Sequence, residues 1–98
     1  MQYRFEWDPD KAAINQKKHG IRFEEAARVF LDAHAITVFD DEHSETEDRW
    51  VTLGLSDAGK LLLVCHAFRN ETRQSAEIRI FSSRKATKAE HQQYENTP

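Results

Sequence analysis

Three residues just before Gly20 have the side-chain types needed for phosphate chemistry, namely Lys17, Lys18 and His19. An imidazole titrates near neutral pH, so His19 is a candidate proton carrier, and the neighbouring ammonium groups are candidate phosphate ligands. The same residues suit the C-terminus of a helix, where the partial negative charge favours cations by a few tenths to about 1 kcal/mol each. The pattern alone leaves both interpretations open.

A second basic group lies towards the other end of the sequence, at Arg79, Arg84 and Lys85. Arg79 alternates with two isoleucines, so it is predicted on the strand face opposite to the core. A guanidinium on a rigid strand is well suited to a bidentate phosphate contact, and Arg69 and Arg73 are candidates to extend such a patch. A solvated sheet face explains the same residues without any function.

The segment SSRKATKAEHQQYE (82–95) predicts a helix with a basic approach to its N-terminus. The T-x-x-E pattern of residues 87–90 fits a capping box, so the helix is expected to begin at Lys88. The basic pair before it then lies beside backbone amides and a helix dipole that favour an anion. Glu90 is expected to be occupied by capping rather than to act as a base, and Tyr94 is either a substrate contact or a packing residue.

An acidic segment, DDEHSETED (40–48), contains six carboxylates and no Lys or Arg. Asp40, Asp41 and His43 raise the alternative of a divalent cation, but their spacing matches neither an EF-hand loop nor a zinc signature. A solvated loop is the favoured interpretation, and such a loop would also attract the basic surface of a partner. No metal or other cofactor is expected.

Motifs for other kinds of catalysis are missing from the sequence, which has no Gly-rich phosphate loop, no G-x-S-x-G elbow and no H-E-x-x-H. The single cysteine, Cys65, lies in an apolar run and is expected to be buried, which argues against Cys nucleophilic chemistry. One reaction suits the remaining groups. In RNA the 2′-hydroxyl is a nucleophile already in place. An enzyme must only align it, take its proton, neutralise the phosphorane with cations and protonate the leaving oxygen.

Length and composition predict one domain over residues 1–98, since the chain has 98 residues, 39% hydrophobic and 32% charged. No apolar run is long enough to span a bilayer and no signal peptide is visible, so a cytoplasmic location is expected. Residues 1–48 have a net charge of −6 and residues 49–98 of +3, giving −3 in total. Such a protein is not built to coat nucleic acid nonspecifically, although a local basic site is compatible with it.

The hydrophobic pattern predicts an α+β fold in the order β-α-α-β-β-β-β-α, with an antiparallel sheet covered by helices. Asp8-Pro9 marks the start of the first helix and Gly20 its end. The apolar stripe of the second helix is expected to contain Phe23, Ala26, Ala27, Phe30 and Leu31. Strands are predicted at 3–7, 35–40, 49–56, 60–68 and 76–82, and helices at 9–19, 23–31 and from 88 onwards.

The chain resembles the BrnT family of toxins from type II toxin–antitoxin systems, which are relatives in fold of the RelE-type ribonucleases. The resemblance runs from end to end. Its strongest parts are FEWDPDKAAINQKKHGIRFEEAARVF (5–30), RWVTLG (49–54) and IRIFSSRKATKAEHQQYE (78–95). The position before Arg84 is Ser83, where a small Ala is common in the family.

The resemblance implies a ribonuclease that stops translation. The expectation that it cleaves RNA without a metal comes from the residues themselves, since no metal-site motif is present. The resemblance also implies a BrnA-like antitoxin with a ribbon-helix-helix fold that binds the toxin in a hetero-oligomer and carries it to operator DNA. The family's motifs fall on Lys18-His19-Gly20, Arg79, the segment 82–87, Glu90 and Tyr94. Catalytic roles are therefore assigned to His19, Arg79, Arg84 and Lys85, and substrate binding to Lys18, Arg69 and Tyr94.

Two other functions remain open at this stage. The acidic loop and the weakly apolar first helix suit a non-catalytic module that only holds a DNA-binding partner and acts as a co-repressor. A metal-dependent nuclease that uses Asp40, Asp41 and His43 is the third alternative, and activity that survives EDTA would exclude it.

Overall fold

The computed structural model describes residues 2–97, in which strands and helices follow one another along the whole chain. The elements are β1 (Gln2–Glu6), α1 (Pro9–His19), α2 (Phe23–Arg28), a 3-10 turn (Val29–Leu31), β2 (Ile36–Phe39), a second 3-10 turn (Asp41–His43), β3 (Trp50–Leu55), β4 (Leu61–Arg69), β5 (Ser75–Lys85) and α3 (Lys88–Asn96). None of the helices in these residues is long and apolar enough to cross a membrane.

Within residues 2–97 the five strands form one sheet in the order β1-β5-β4-β3-β2. Strands β2 to β5 are antiparallel to their neighbours, but β1 lies parallel to β5. The prediction of an antiparallel sheet is therefore wrong for β1, and the sheet is mixed. A parallel pair needs a long crossover connection, and the chain between β1 and β5 provides it. The pairing sets Phe5 beside Ile78.

The core lies between α1, α2 and one face of the sheet, which we call the inner face. Phe23 and Val29 pack there against alternate residues of β4 and β5, including Val64, Ile78 and Ile80. The other, outer face carries Arg79 and Cys65, and α3 lies along part of it. Cys65 is half-buried, so the expectation of a buried thiol was too strong.

The ends of α1 are set by local interactions that the sequence predicted. The Asp8 carboxylate accepts a hydrogen bond from the Asp10 N–H at 2.9 Å, and Pro9 occupies the first helical position. Gly20 ends the helix with φ of 70°, a conformation that residues with a Cβ rarely adopt.

The helix predicted over 23–31 is shorter than expected, because α2 ends at Arg28 and continues as the 3-10 turn. The tighter turn rotates the last residues around the axis. As a result Val29 is fully buried whereas Leu31 is 71% exposed. Leu31 is therefore not part of the apolar stripe.

An irregularity in β5 changes which side chains reach the outer face. The register pairs His66 with Ile80 but Cys65 with Ser82, so Phe81 is an extra residue, as in a β-bulge. Beyond Arg79, where β1 no longer pairs with β5, α1 takes the place of a neighbouring strand. The buried Asn15 side chain donates to the Ser83 carbonyl at 2.9 Å and accepts from the Ser83 N–H at 3.0 Å.

Candidate active site

A shallow open pocket of ≈ 170 Å³ lies between the C-terminal half of α1 and the bulge of β5. Asn15 fixes this junction, since besides its two bonds to Ser83 it donates to the Ile21 carbonyl at 2.9 Å. The cap at Gly20 then ends the helix so that its last basic turn borders the pocket. The lining residues are Lys11, Ile14, Asn15, Lys18, His19, Phe81 and Ser82.

Two of the predicted site residues, His19 and Lys18, therefore meet β5. His19 is partly exposed and Lys18 is exposed. Arg79 lies two residues before Phe81 on the same strand, about 7 Å further along at the usual rise per residue. The last turn of α1 and residues 81–82 of β5, which are far apart in sequence, thus border one pocket, and Arg79 is not among the residues that line it.

Phe81 is a residue of this region that the sequence did not single out. The guanidinium of Arg49 lies 4.2 Å from the centre of its ring, and the ammonium group of Lys11 lies 5.4 Å from the same point. Both distances are within the range of cation–π attraction. The half-buried ring is thus flanked by cations from α1 and from the residue that precedes β3. Alternation with Arg79 places Phe81 on the same face of the strand, and that alternation is the signal that could have identified it.

Arg79 and Arg69 belong to a network of ion pairs on the outer face. Glu6 of β1 lies 3.6 Å from Arg79 and 3.7 Å from Arg69, and Arg69 also binds Glu47 at 3.0 Å. Arg79 keeps 30% of its side chain exposed. Glu6 thus holds both guanidinium groups near the sheet while it neutralises part of their charge.

Arg84 is engaged by Glu90 of α3. Its two terminal nitrogens donate to the two carboxylate oxygens at 2.8 and 3.1 Å, and the Thr87 N–H also donates to Glu90 at 2.8 Å. The Arg84 contact, with the capping bond, lowers the pKa of Glu90 to about 2. The hydrogen bond to Glu90 raises the pKa of Arg84. Lys85 is exposed at the end of β5.

Tyr94 binds a residue of the chain itself. Its hydroxyl donates to Asp32 at 2.6 Å, and the same carboxylate oxygen accepts the Leu55 N–H at 2.9 Å. The bond to Asp32 raises the pKa of Tyr94 to about 12. Partial burial would raise the pKa of Asp32, but the N–H groups of Leu55 and His34 and the Tyr94 hydroxyl outweigh it and lower that pKa.

Two histidines outside the pocket have structural partners. His66 is fully buried between Phe30 and Phe68, and its Nε2 lies 2.7 Å from the Thr52 hydroxyl. Burial lowers its pKa to about 4, so the ring is neutral at pH 7. His43 contacts Asp40 at 2.9 Å. In residues 2–97, no group of three or more His, Cys, Asp or Glu side chains is arranged to hold a metal ion.

The structure as a whole defines an α+β domain whose mixed sheet presents basic and aromatic side chains beside a histidine, an arrangement suited to an anionic ligand. The model of the family described as "Ribonuclease toxin, BrnT, of type II toxin-antitoxin system" matches residues 7–90. The chain therefore belongs to the BrnT family of ribonuclease toxins. As a type II toxin, it has a protein antitoxin as its partner.

A solved structure agrees with this assignment at the level of the fold. The chain is similar to the ribonuclease toxin BrnT of Brucella abortus, known from a crystal structure at 1.1 Å, with a TM-score of 0.58 and 19% sequence identity. The similarity covers 90% of this chain and 100% of the Brucella chain. A search of curated proteins found no match.

Proposed function

We propose that this protein is a RelE-like endoribonuclease that cleaves RNA without a metal ion and so stops translation in the cytoplasm. The observation that carries the proposal is the junction at which His19 and Lys18 of α1 meet β5 at Phe81, beside Arg79. It provides a proton carrier and an ammonium group beside an aromatic ring. Proton transfer and positive charge are what 2′-hydroxyl attack on a phosphate requires.

The role of each residue follows from its chemistry. His19 accepts the proton of the attacking 2′-hydroxyl, and the 5′-oxygen that leaves phosphorus takes a proton from water. Arg79 binds the scissile phosphate and stabilises the charge of the phosphorane. Lys18 adds a second positive charge at the rim of the pocket. The Phe81 ring stacks against a base. Stacking of this kind contributes about 1–3 kcal/mol per base, as alanine substitutions in other proteins show.

The remaining predicted residues act around this centre. Lys85 and Arg84 lie at the N-terminal approach to α3 and attract the RNA backbone. Arg84 contacts a phosphate only if it gives up one of its two bonds to Glu90. Arg69 extends the basic surface beyond Arg79. Tyr94 contributes to RNA binding only through the position of α3, since its hydroxyl is bound to Asp32.

The proposed partner is a BrnA-like antitoxin with a ribbon-helix-helix fold. It binds the toxin in a hetero-oligomer, blocks cleavage and carries the complex to operator DNA, which the toxin does not bind by itself. The net charge of −3 is consistent with that division of labour, because the toxin is poorly suited to binding DNA alone.

Expression in a bacterium tests the proposal. Wild-type protein is expected to arrest growth, and His19→Ala or Arg79→Ala to relieve the arrest while the protein remains folded by circular dichroism. His91→Ala on exposed α3 and Arg28→Ala at an exposed position of α2 are matched controls that should still arrest growth. Purified protein should cleave RNA in EDTA. Normal growth with abundant wild-type protein would overturn the proposal.

A second function is favoured by the pairing of the arginines. Arg69, Arg79 and Arg84 all contact carboxylates of the chain itself, which weakens their attraction for RNA. A module that only holds a DNA-binding antitoxin and acts as co-repressor needs no free arginine. It predicts tight antitoxin binding together with intact RNA at every protein concentration, whereas the ribonuclease proposal predicts cleavage.

A further inference from the structure

β2 is a free edge of the sheet, and its outward backbone groups are available for pairing. In residues 2–97 no strand lies beyond it. The Asp40 N–H donates to the Arg49 carbonyl at 2.9 Å. Because backbone groups alternate in direction along an antiparallel pair, the N–H and C=O of Val38 point towards β3, and those of Thr37 and Phe39 point away from the sheet. Two outward amides and two outward carbonyls therefore form a template for a further strand.

The composition of β2 distinguishes it from the other edge of the sheet. Natural proteins commonly protect an edge strand with charged side chains, and β1 carries Arg4 and Glu6. β2 has the sequence ITVF, with no charge. Val38 is 51% exposed and Phe39 is 40% exposed. An uncharged, apolar edge of this kind is typical of a strand that pairs with a partner.

An apolar groove adjoins this edge on the outer face. It has a volume of ≈ 450 Å³ and is bordered by Ile36, Val38, Val51, Leu53 and Leu63 of the sheet. Glu90 and Gln93 of α3 and the following Thr97 form the opposite wall. Because side chains of neighbouring strands point to the same face at paired positions, a strand added beside β2 would direct every second side chain towards this groove.

The charge of the neighbouring loop indicates the chemistry of the occupant. The acidic segment 40–48 follows β2 directly. Asp41, Glu42, Glu45 and Asp48 are exposed, and none of the ion pairs found among residues 2–97 includes them. A strand antiparallel to β2 would begin beside this loop. Its first residues would therefore meet four carboxylates that Lys or Arg side chains can neutralise.

We propose that β2, the groove and the acidic loop bind an extended segment of the partner protein, with Lys or Arg at its N-terminal end followed by alternating apolar residues. The segment pairs antiparallel to β2 and fills the groove with its apolar side chains. That the partner is the antitoxin rests on the proposed function. That this surface binds a basic segment with alternating apolar residues does not depend on it. The surface is separate from the pocket at His19, so the partner can bind here without competing directly for that pocket.

A defined probe tests the binding chemistry. The labelled peptide KRKTVTVT is titrated with the full chain at low salt, and its charge-reversed counterpart EDETVTVT serves as the control. The basic peptide is expected to bind at least about tenfold more tightly than the control. A tenfold difference in affinity requires little more free energy than one favourable charge contact provides. Equal binding of the two peptides, or no binding of the basic one, would overturn the proposal.

Two sets of variants locate the site. Val38→Lys places a like charge at the groove and should weaken binding of the basic peptide about tenfold. Leu31→Lys makes the same change at another exposed apolar residue and should leave binding unchanged. The triple change Asp41→Asn, Glu42→Gln, Glu45→Gln should weaken binding to a similar extent. The control is a triple change at exposed positions elsewhere, which should leave binding of the basic peptide unchanged: Glu24→Gln, Asp57→Asn and Glu71→Gln.

Two further measurements separate the alternatives. Sedimentation of the free chain would overturn the proposal if it showed a dimer that Val38→Lys dissociates, because the edge would then bind a second copy. Val38→Lys should still arrest growth, since Val38 lies outside the proposed catalytic pocket. Failure of the wild-type protein to arrest growth would count against the proposed function but leave the peptide result unaffected.

Discussion

The hydroxyl of Tyr94 donates a hydrogen bond of 2.6 Å to the carboxylate of Asp32, across 62 residues of sequence. Asp32 ends the 3-10 turn after α2 and also accepts the N–H groups of Leu55 and His34. One carboxylate therefore joins the end of the α2 segment, β3 and α3. Because α3 contains no fully buried residue, this polar contact is a main attachment of the helix to the sheet.

Tyr94→Phe should consequently destabilise the protein. The change keeps the ring but removes a hydrogen bond to a charged acceptor, which we expect to cost about 1–2 kcal/mol of the free energy of unfolding. Tyr3→Phe is the control, because Tyr3 contacts Phe5 and Phe30 through its ring. Urea unfolding measures the difference. If Tyr94→Phe is as stable as Tyr3→Phe but loses growth arrest, the hydroxyl acts on RNA instead.

The parts of the fold that the sequence predicted are those determined by neighbouring residues. The cap at Asp8, the left-handed residue at Gly20 and the capping box of Thr87 and Glu90 all involve contacts within a few positions. Local pattern carries that information because the bonds form inside one element. The parallel pairing of β1 with β5 depends instead on residues more than 70 positions apart, and alternation within a strand does not encode its neighbour.

The site was predicted in part for the same reason. Residue types identified His19 and Arg79 as candidates. The structure places His19 beside Phe81 and Ser82 of β5, whereas Arg79 is not among the residues that line this pocket. Phe81 was missed although alternation places it on the same strand face as Arg79. The bulge, which arises from the register of β4 against β5, instead changes the faces of the residues from Ser82 onwards. Residue type also could not indicate that Glu90, predicted as a cap, holds Arg84 at the same time.

Asn15→Ala should separate α1 from β5 and so affect both stability and activity. The buried Asn15 makes three hydrogen bonds, one to Ile21 and two to the backbone of Ser83. Removing it leaves buried backbone groups unpaired, at a cost of about 2–4 kcal/mol in the free energy of unfolding. Gln16→Ala, exposed on the same helix, should be nearly neutral. At a temperature where both variants are folded, RNA cleavage should fall only for Asn15→Ala. If Asn15→Ala and Gln16→Ala cleave RNA equally well, this junction does not position His19.

Glu90→Gln should change the acid stability of the protein. The pKa of Glu90 falls from 4.5 to about 2 on folding, chiefly through Arg84. Its contribution to stability is therefore complete above pH 4.5 and is lost as the pH falls towards 2. Arg84 is 39% exposed, so solvent screening reduces this contribution to about 1–2 kcal/mol. Thermal melting from pH 5 to 2 should show a smaller pH dependence for Glu90→Gln, whereas Glu95→Gln on the exposed side of α3 should follow the wild type.

His66 should determine stability in a higher pH range. Its pKa falls from 6.5 to about 4 because it is buried, so the unfolded chain binds a proton more readily than the folded protein does. The stability attributable to the neutral ring is complete above pH 6.5 and is lost between pH 6.5 and 4, by on the order of 3 kcal/mol. His66→Phe, which keeps an aromatic ring between Phe30 and Phe68, should remove that dependence while it loses the contact with Thr52. Unfolding in urea at pH 7, 6, 5 and 4 measures the effect, with His91→Phe on exposed α3 as the control. The prediction is wrong if the free energy of unfolding of the wild-type protein is constant from pH 7 to 5. The His66 ring would then accept its proton without leaving the core.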